Sequence, residues 1–348
     1  MKALVFETNG EPDDVLQLCE LADPVPGPRD VVVRVLLAPV HRSDLRIIRG
    51  RFGRQPQLPA SPGIECVGII EAVGSHVVGL SIGIRVIVLG VFGTWRERIA
   101  CAAERVVPLP DRISDEDAAQ AVVHPLTACA LTLAEHQLRR DDWLIQTGAG
   151  STVGRLVLQL ARIRGFKTIN IVRRIVQVDE IETLGGEVVI STEDRDWPAQ
   201  LVSATKGLNV MKALDCIGGS TGANVEHALA PGGRMLVYGA ASSDAVHDRV
   251  AHELPLFAQS LIYNASTVQG WFLYHWLDEI PLAEAVRTLR CALDYLASGG
   301  LRLPSTVRYP PSRITDAIAD SESGSLSGTA LLVFDEVQAD IAPRSFEA

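Results

Sequence analysis

A chain of 348 residues, 47% of them hydrophobic, is longer than one ordinary core accommodates and points to two domains. Its 32 Lys and Arg stand against 42 Asp and Glu, and a formal charge of −10 repels phosphate backbones and anionic lipid surfaces alike, so neither nucleic acid nor a membrane is an expected partner. No apolar run approaches the roughly 20 residues of a membrane helix, the opening MKALVF lacks the pattern of a signal peptide, and the 6 scattered cysteines, without a C-x-x-C, read as reduced, small buried hydrophobes of a cytoplasmic protein.

The first third alternates short β-rich runs with Gly and Pro: MKALVF, DVVVRVLLAPV, CVGIIEAVG and IRVIVLGVFG. This predicts a mostly antiparallel β domain. Ser114 is a candidate N-cap for DEDAAQAVVHPLTACALTLAEHQ, whose apolar spacing predicts a long helical stretch opening a second domain. From WLIQTG to RMLVYGA strands and helices alternate, the pattern of a doubly wound parallel sheet covered on both faces. An amphipathic helix, PLAEAVRTLRCALDYLASGG, then stops at Gly299-Gly300, and the β segments LRLPSTVRYP and GTALLVF are expected to rejoin the first domain. The closing VQADIAPRSFEA reads as a loose end.

The strand Trp143–Thr147 runs into Gly148, Gly150, Ser151, Thr152, Val153 and Gly154 at the head of the next helix. Small residues there let the backbone approach a pyrophosphate, the helix N-terminus offers free N–H groups and a positive dipole end, and Gly154 permits close helix–strand packing. The spacing is G-x-G-x-x-x-G rather than G-x-G-x-x-G, so it is the surrounding βαβ unit that identifies a dinucleotide site. The following strand, TINIV, ends in Arg173 and Arg174, where NAD-specific folds carry an acid. Guanidinium groups suit the 2′-phosphate of NADPH, which is the expected cofactor.

The stretches APVHRSDLRIIRG, LPASPGIECVGIIEAVG, GTWRERI, HPLTACALTL, FKTINIVRR and GWFLYHW together resemble the medium-chain dehydrogenase/reductase superfamily. Within it the chain is similar to mitochondrial-type 2-enoyl thioester reductases and bacterial NADPH:quinone reductases. The resemblance implies an α/β fold in which a Rossmann domain, residues 122–277, is inserted in a discontinuous GroES-like domain, residues 1–121 and 278–348. It also implies an oxidoreductase. Thr127, Tyr238 and Gly239 complete the expected cofactor contacts. Zinc-dependent members hold their metal with a Cys, a His in G-H-E and a third ligand. Here His41, Ile64 and Val123 or His124 stand at those places, and because Ile64 coordinates nothing, no metal is expected.

Without zinc the expected reaction is NADPH-dependent reduction of an activated carbon–carbon double bond in an enoyl thioester, enone or quinone. The enoyl thioester reductases imply a proton-donating or enolate-stabilising tyrosine where this chain has Phe52, which has no exchangeable proton. Its role passes to water, Arg51, a ribose hydroxyl of the cofactor or His41; His41 is favoured because imidazole titrates near neutral pH. By resemblance Trp95, Trp271, Phe272 and Trp276 wall an acyl pocket; Arg51, in an arginine-rich stretch, is a candidate contact for an anionic part of the substrate, the alternative being a solvated, partly salt-bridged loop. The alternatives are a zinc-free alcohol or carbonyl oxidoreductase and a low-turnover NADPH-binding sensor or structural protein. Zinc-free relatives pair through the edge of the Rossmann sheet, so a homodimer is expected.

Overall fold

Fifteen strands carry the architecture of the computed structural model, which describes residues 1–241, 253–256, 258–323 and 328–334. In chain order they are β1 (Lys2–Val5), β2 (Gln17–Glu20), β3 (Asp30–Pro39), β4 (Val67–Val73), β5 (Arg85–Val88), β6 (Arg98–Ala102), β7 (Val106–Pro108), β8 (Trp143–Thr147), β9 (Lys167–Val172), β10 (Val188–Ser191), β11 (Lys212–Asp215), β12 (Arg234–Val237), β13 (Thr267–Gly270), β14 (Ser305–Tyr309) and β15 (Gly328–Val333). The chain forms two units, Met1–Val123 with Leu303 onward, and His124–Arg302.

The first unit is built on a sheet ordered β14-β15-β3-β4-β5-β7, with β6 also on β3. All its pairings are antiparallel except β14 with β15. β3 is its spine: Val31, Val33, Val35 and Leu37 are fully buried, as β-branched and aliphatic residues on an inward face should be. The return of the chain to β14 and β15 makes this unit discontinuous, as the sequence predicts.

In the second unit β10-β9-β8-β11-β12-β13 are paired parallel throughout. Strand order reverses between β8 and β11, which opens a crevice at their carboxyl ends where open α/β sheets bind ligands. Both faces are covered, one around Ile145, Ile169, Leu201 and Met235, the other around Ala149, Leu158, Val172 and Ile181. This explains why the strands read as continuous apolar runs.

Three expectations need correction or qualification. The helix Leu282–Ala297 belongs to the second unit, not the first. Its buried stripe of Leu289, Leu293 and Leu296 needs an apolar surface, and it packs on the turn Thr127–Cys129. The helical stretch expected to open that unit begins in the first one and is not one α-helix: an α-helical turn Asp115–Ala119, capped by Ser114 as expected, is followed by π-helical turns at Val122–Leu126 and Ala130–Glu135. Pro125 inside the segment cannot donate a backbone hydrogen bond, which loosens the ladder there. The tail at residues 337–348 lies outside the described residues. Among the described residues no helix is long and apolar enough to cross a membrane.

Candidate functional site

Two constructions in the two units bring the predicted residues into order. In the first unit, β3 ends at Pro39 and the chain turns at His41 into the helix Arg42–Ile48. The His41 N–H donates to Asp44 Oδ2 at 2.8 Å, so a helix-capping bond fixes the backbone of the histidine. His41 is 6% exposed, and its Nε2 donates to Glu65 Oε1 at 2.5 Å. Glu65 is itself buried, and its second oxygen accepts from the N–H groups of Val122 (2.8 Å) and Val123 (2.9 Å). A buried carboxylate with both oxygens engaged satisfies the rule that buried charges are paired and hydrogen-bonded.

The surroundings of this pair are fixed by the turn containing Thr94 and Trp95. Thr94 Oγ1 donates to the Glu65 carbonyl at 2.8 Å, and Trp95 Nε1 donates to the Pro39 carbonyl at 2.9 Å. Gly63, at φ +97°, lets this turn approach: a Cβ there would collide with Thr94 Oγ1 and Trp95. Trp95 is fully buried. It therefore does not line an acyl pocket but braces the two segments that carry His41 and Glu65.

Burial works against the charged imidazolium of His41, but the Glu65 hydrogen bond and the charges of Glu65 and Asp44 outweigh it, so its pKa lies above 6.5. Burial pushes the Asp44 carboxyl up to about 7 against the pull of His41. A catalytic zinc needs three protein ligands. Ile64 offers no ligand, His41 Nε2 is taken by Glu65, and among the described residues no group of three or more His, Cys, Asp and Glu is arranged to hold a metal. Phe52 is half-buried in the loop after the helix Arg42–Ile48, where its carbonyl accepts from the Gln55 side chain at 3.1 Å; Arg51 is exposed.

In the second unit the turn after β8 forms a cradle. Gly148 has φ +59°, and a Cβ on it would lie 2.5 Å from Cys216 Sγ. Ser151 caps the helix Thr152–Arg164 by accepting from the Gly154 N–H at 3.1 Å. A Cβ on Gly154 would stand 2.6 Å from the Gly148 carbonyl oxygen, so only glycine allows the helix to sit this close. The buried Gln146 amide bonds both the Gly154 carbonyl and Asn170, locking helix, turn and β9 together. At the end of β11 Asp215 accepts from Thr147 Oγ1 (2.7 Å) and from the N–H groups of Ile217 and Gly218. The Tyr238 hydroxyl is buried beside Cys216 and Ser151 without a hydrogen-bond partner among the described residues.

A glycine-lined cradle at a helix N-terminus with an orphaned hydroxyl beside it fits a dinucleotide pyrophosphate. Gly239 adjoins it, and a Cβ there would stand 2.9 Å from the Cys216 carbonyl oxygen. Arg173 and Arg174 are exposed just past β9, and neither guanidinium pairs with a carboxylate among the described residues. Thr127 and Val153 are buried at 7% and 8% exposure, and Thr152 is half-buried at the first helical position.

Trp271, Phe272 and Trp276 come together around a cavity of about 390 Å³ in the same unit, which Glu135, His275 and Glu279 also line. Trp271 and Trp276 pack with ring centroids 6.1 Å apart, and the buried Trp271 indole N–H has no partner among the described residues. The sequence reading missed Glu65, although an acid within the apolar run GIECVGII is a signal for a buried paired carboxylate.

Cradle and sheet together define a dinucleotide-binding protein. Comparison with known proteins sharpens this. Residues 27–111 match the model of the alcohol dehydrogenase GroES-like domain, and residues 152–289 that of the zinc-binding dehydrogenase. The mitochondrial enoyl-[acyl-carrier-protein] reductase of Rattus norvegicus is 34% identical, covering 89% of this chain and 82% of its own. A crystal structure from Bacillus thuringiensis, described as an NADPH:quinone reductase, is 31% identical with a TM-score of 0.86, covering 95% of this chain and 98% of its own. The heterodimeric mitochondrial 2-enoyl thioester reductase of Candida tropicalis is 25% identical with a TM-score of 0.80, covering 95% and 99%. The chain belongs to the medium-chain dehydrogenase/reductase superfamily, in its branch of enoyl and quinone reductases.

Proposed function

We propose that this protein uses NADPH to reduce an activated carbon–carbon double bond, in an enoyl thioester, enone or quinone, without zinc. The observation that carries the reading is the buried His41–Glu65 pair, a proton donor standing where zinc-dependent relatives place a metal site. NADPH supplies hydride to the β-carbon when bound. The Gly148–Gly154 turn holds its pyrophosphate, Arg173 and Arg174 its 2′-phosphate, and Thr127, Tyr238 and Gly239 contact the remainder. His41 protonates the enolate at its oxygen or α-carbon, and Glu65 keeps the imidazolium charged and oriented until transfer. Trp271, Phe272 and Trp276 wall the apolar part of the substrate, and Arg51 meets an anionic part. The substrate is a small molecule, and the enzyme works in the cytoplasm as a homodimer.

Phe52, in place of the proton-bearing tyrosine, favours one other reading: a sensor that binds NADPH and turns over little. NADPH absorbance followed against crotonyl-CoA, a simple enone, a quinone and an aldehyde separates the two, with NADH as control. Oxidation by crotonyl-CoA, enone or quinone, with NADPH preferred and loss in His41→Asn, supports the reductase. Tight NADPH binding without oxidation by any of them overturns it in favour of the sensor, and oxidation by the aldehyde alone moves the chemistry to carbonyl reduction.

A further inference from the structure

At the crevice where strand order reverses, residues 215–218 carry the chain from β11 into the helix Gly219–His227. This short segment touches two of the backbone stretches assigned to the cofactor. A Cβ on Gly148 would lie 2.5 Å from Cys216 Sγ, and that thiol meets the Thr147 carbonyl at 3.5 Å. Beyond β12, Tyr238 donates its N–H to the Asp215 carbonyl at 2.8 Å and Ala241 its N–H to the Cys216 carbonyl at 3.0 Å, with Gly239 held against Cys216 between them. The Gly148 turn and the backbone of Tyr238 and Gly239 thus rest on the same few residues.

The Asp215 side chain shapes that segment. It is fully buried, and three donors converge on its two oxygens: Thr147 Oγ1 (2.7 Å) and the Ile217 N–H (3.0 Å) on Oδ1, and the Gly218 N–H (3.0 Å) on Oδ2. Thr147 Oγ1 in turn accepts from the Cys216 N–H at 2.9 Å, which ties the last residue of β8 to the loop after β11. Gly218 at φ +75° and Gly219 at φ +58° make a turn that loses much chain entropy on ordering, so it depends on such bonds to keep one form. A Cβ on Gly222 would stand 2.4 Å from Asp215 Oδ2, so the helix Gly219–His227 packs directly on the carboxylate.

We propose that Asp215 is a positioning residue of the cofactor site: through Thr147 and the N–H groups of Ile217 and Gly218 it holds residues 215–218 in one form before NADPH binds. It thereby sets where the Gly148 turn and the backbone of Tyr238 and Gly239 meet the dinucleotide. The inference rests on the assignment of this cradle to NADPH. Asp215 acts through its neighbours rather than by touching the cofactor, and because a preorganised site pays less ordering cost on binding, its loss is read in affinity.

The test measures NADPH dissociation constants of the full-length protein by nicotinamide fluorescence, with circular dichroism and the thermal midpoint as controls for folding. Asp215→Asn keeps the side-chain shape but turns one acceptor into an amide donor facing another donor, and Thr147→Val removes only the hydroxyl. Each should raise the NADPH Kd about tenfold. Both break one network, so the double variant should bind within about threefold of either single variant. Thr147→Ser keeps the hydroxyl and should bind within about twofold of wild type. A purely structural role would lower the thermal midpoint and leave the Kd of the folded variants unchanged. Hydrogen exchange on wild-type protein without NADPH needs no variant to fold: the Ile217 and Gly218 amides should exchange at least about tenfold more slowly than in an unstructured chain. An unchanged Kd in folded Asp215→Asn, losses that add in full in the double variant, or unprotected Ile217 and Gly218 amides overturn the proposal, while tight wild-type binding upholds the cofactor assignment. A wild type that binds no NADPH overturns the assignment and the proposal together.

Discussion

Glu65 decides what His41 can do. An isolated buried histidine loses its charge, but the carboxylate at 2.5 Å reverses this, so the imidazolium persists above pH 6.5 as a proton donor. The rate of double-bond reduction should therefore fall as pH rises through the raised pKa of His41. In Glu65→Gln the inflection should move to lower pH, and in His41→Asn it should vanish with a loss in kcat of about a hundredfold or more. Steady-state pH profiles measure all three, and an unchanged inflection in Glu65→Gln would show that His41 is not the donor. Asp44 leads to a different prediction. Its folded pKa of about 7 stands above its ordinary 3.8, so the folded state holds a proton that the unfolded chain releases between those values. That contribution to stability is full below pH 3.8 and is lost as pH rises to about 7. The thermal midpoint should decline across this window, and Asp44→Asn should flatten the decline; melts at half-unit pH steps check it. His41 and Ile64 were legible in the sequence because they stand in recognisable motifs. The Glu65 bond and the buried place of Trp95 were not, because both depend on how β3, the Gly63 turn and Val122–Val123 converge from distant parts of the chain.

At the scale of elements, the β8–turn–helix unit is where local chemistry and tertiary packing agree. Its glycines were readable from the sequence, since only glycine accepts the positive φ of Gly148 and the close approach at Gly154. Gly154→Ala drives a methyl against the backbone of Gly148 and Ala149, which cannot yield as a side chain would. It should cost about 1–3 kcal/mol of stability and raise the NADPH Kd more than about tenfold, as fluorescence titration and chemical denaturation would measure. The next strand ends in two exposed guanidinium groups without a carboxylate partner among the described residues. Charge-assisted bonds to a phosphate contribute about 1.5–3 kcal/mol each. The double variant Arg173→Ser, Arg174→Ser should thus bind NADPH more weakly by about a hundredfold or more while NADH affinity stays within about twofold; equal losses for both cofactors would remove these arginines from 2′-phosphate recognition. The π-helical turns around Pro125 were less legible, because apolar spacing marks a helical segment but not a locally altered hydrogen-bond register.

For the whole molecule, alternation of strand and helix gave away the nesting of one domain in the other, but not where the second crossing falls. An amphipathic helix announces that it needs an apolar surface without saying which, and Leu282–Ala297 finds its surface in the second unit. The same logic applies to β13. It ends the six-stranded sheet with one side paired to β12 and the other open among the described residues, and open edges invite pairing with another chain. The preceding helix Ala258–Asn264 leaves Ile262 and Tyr263 70% and 79% exposed. If two copies pair through this edge, light scattering on a sizing column should give twice the chain mass. Thr267 and Trp271 direct their N–H groups inward, to the carbonyls of Gly233 and Val237. By alternation Val268 directs its N–H outward, so Val268→Pro removes a donor from the open edge and spares those inward bonds. The variant should run as a folded monomer, with its circular dichroism unchanged and its NADPH affinity retained. A variant that stays dimeric while folded would place the contact elsewhere on the surface.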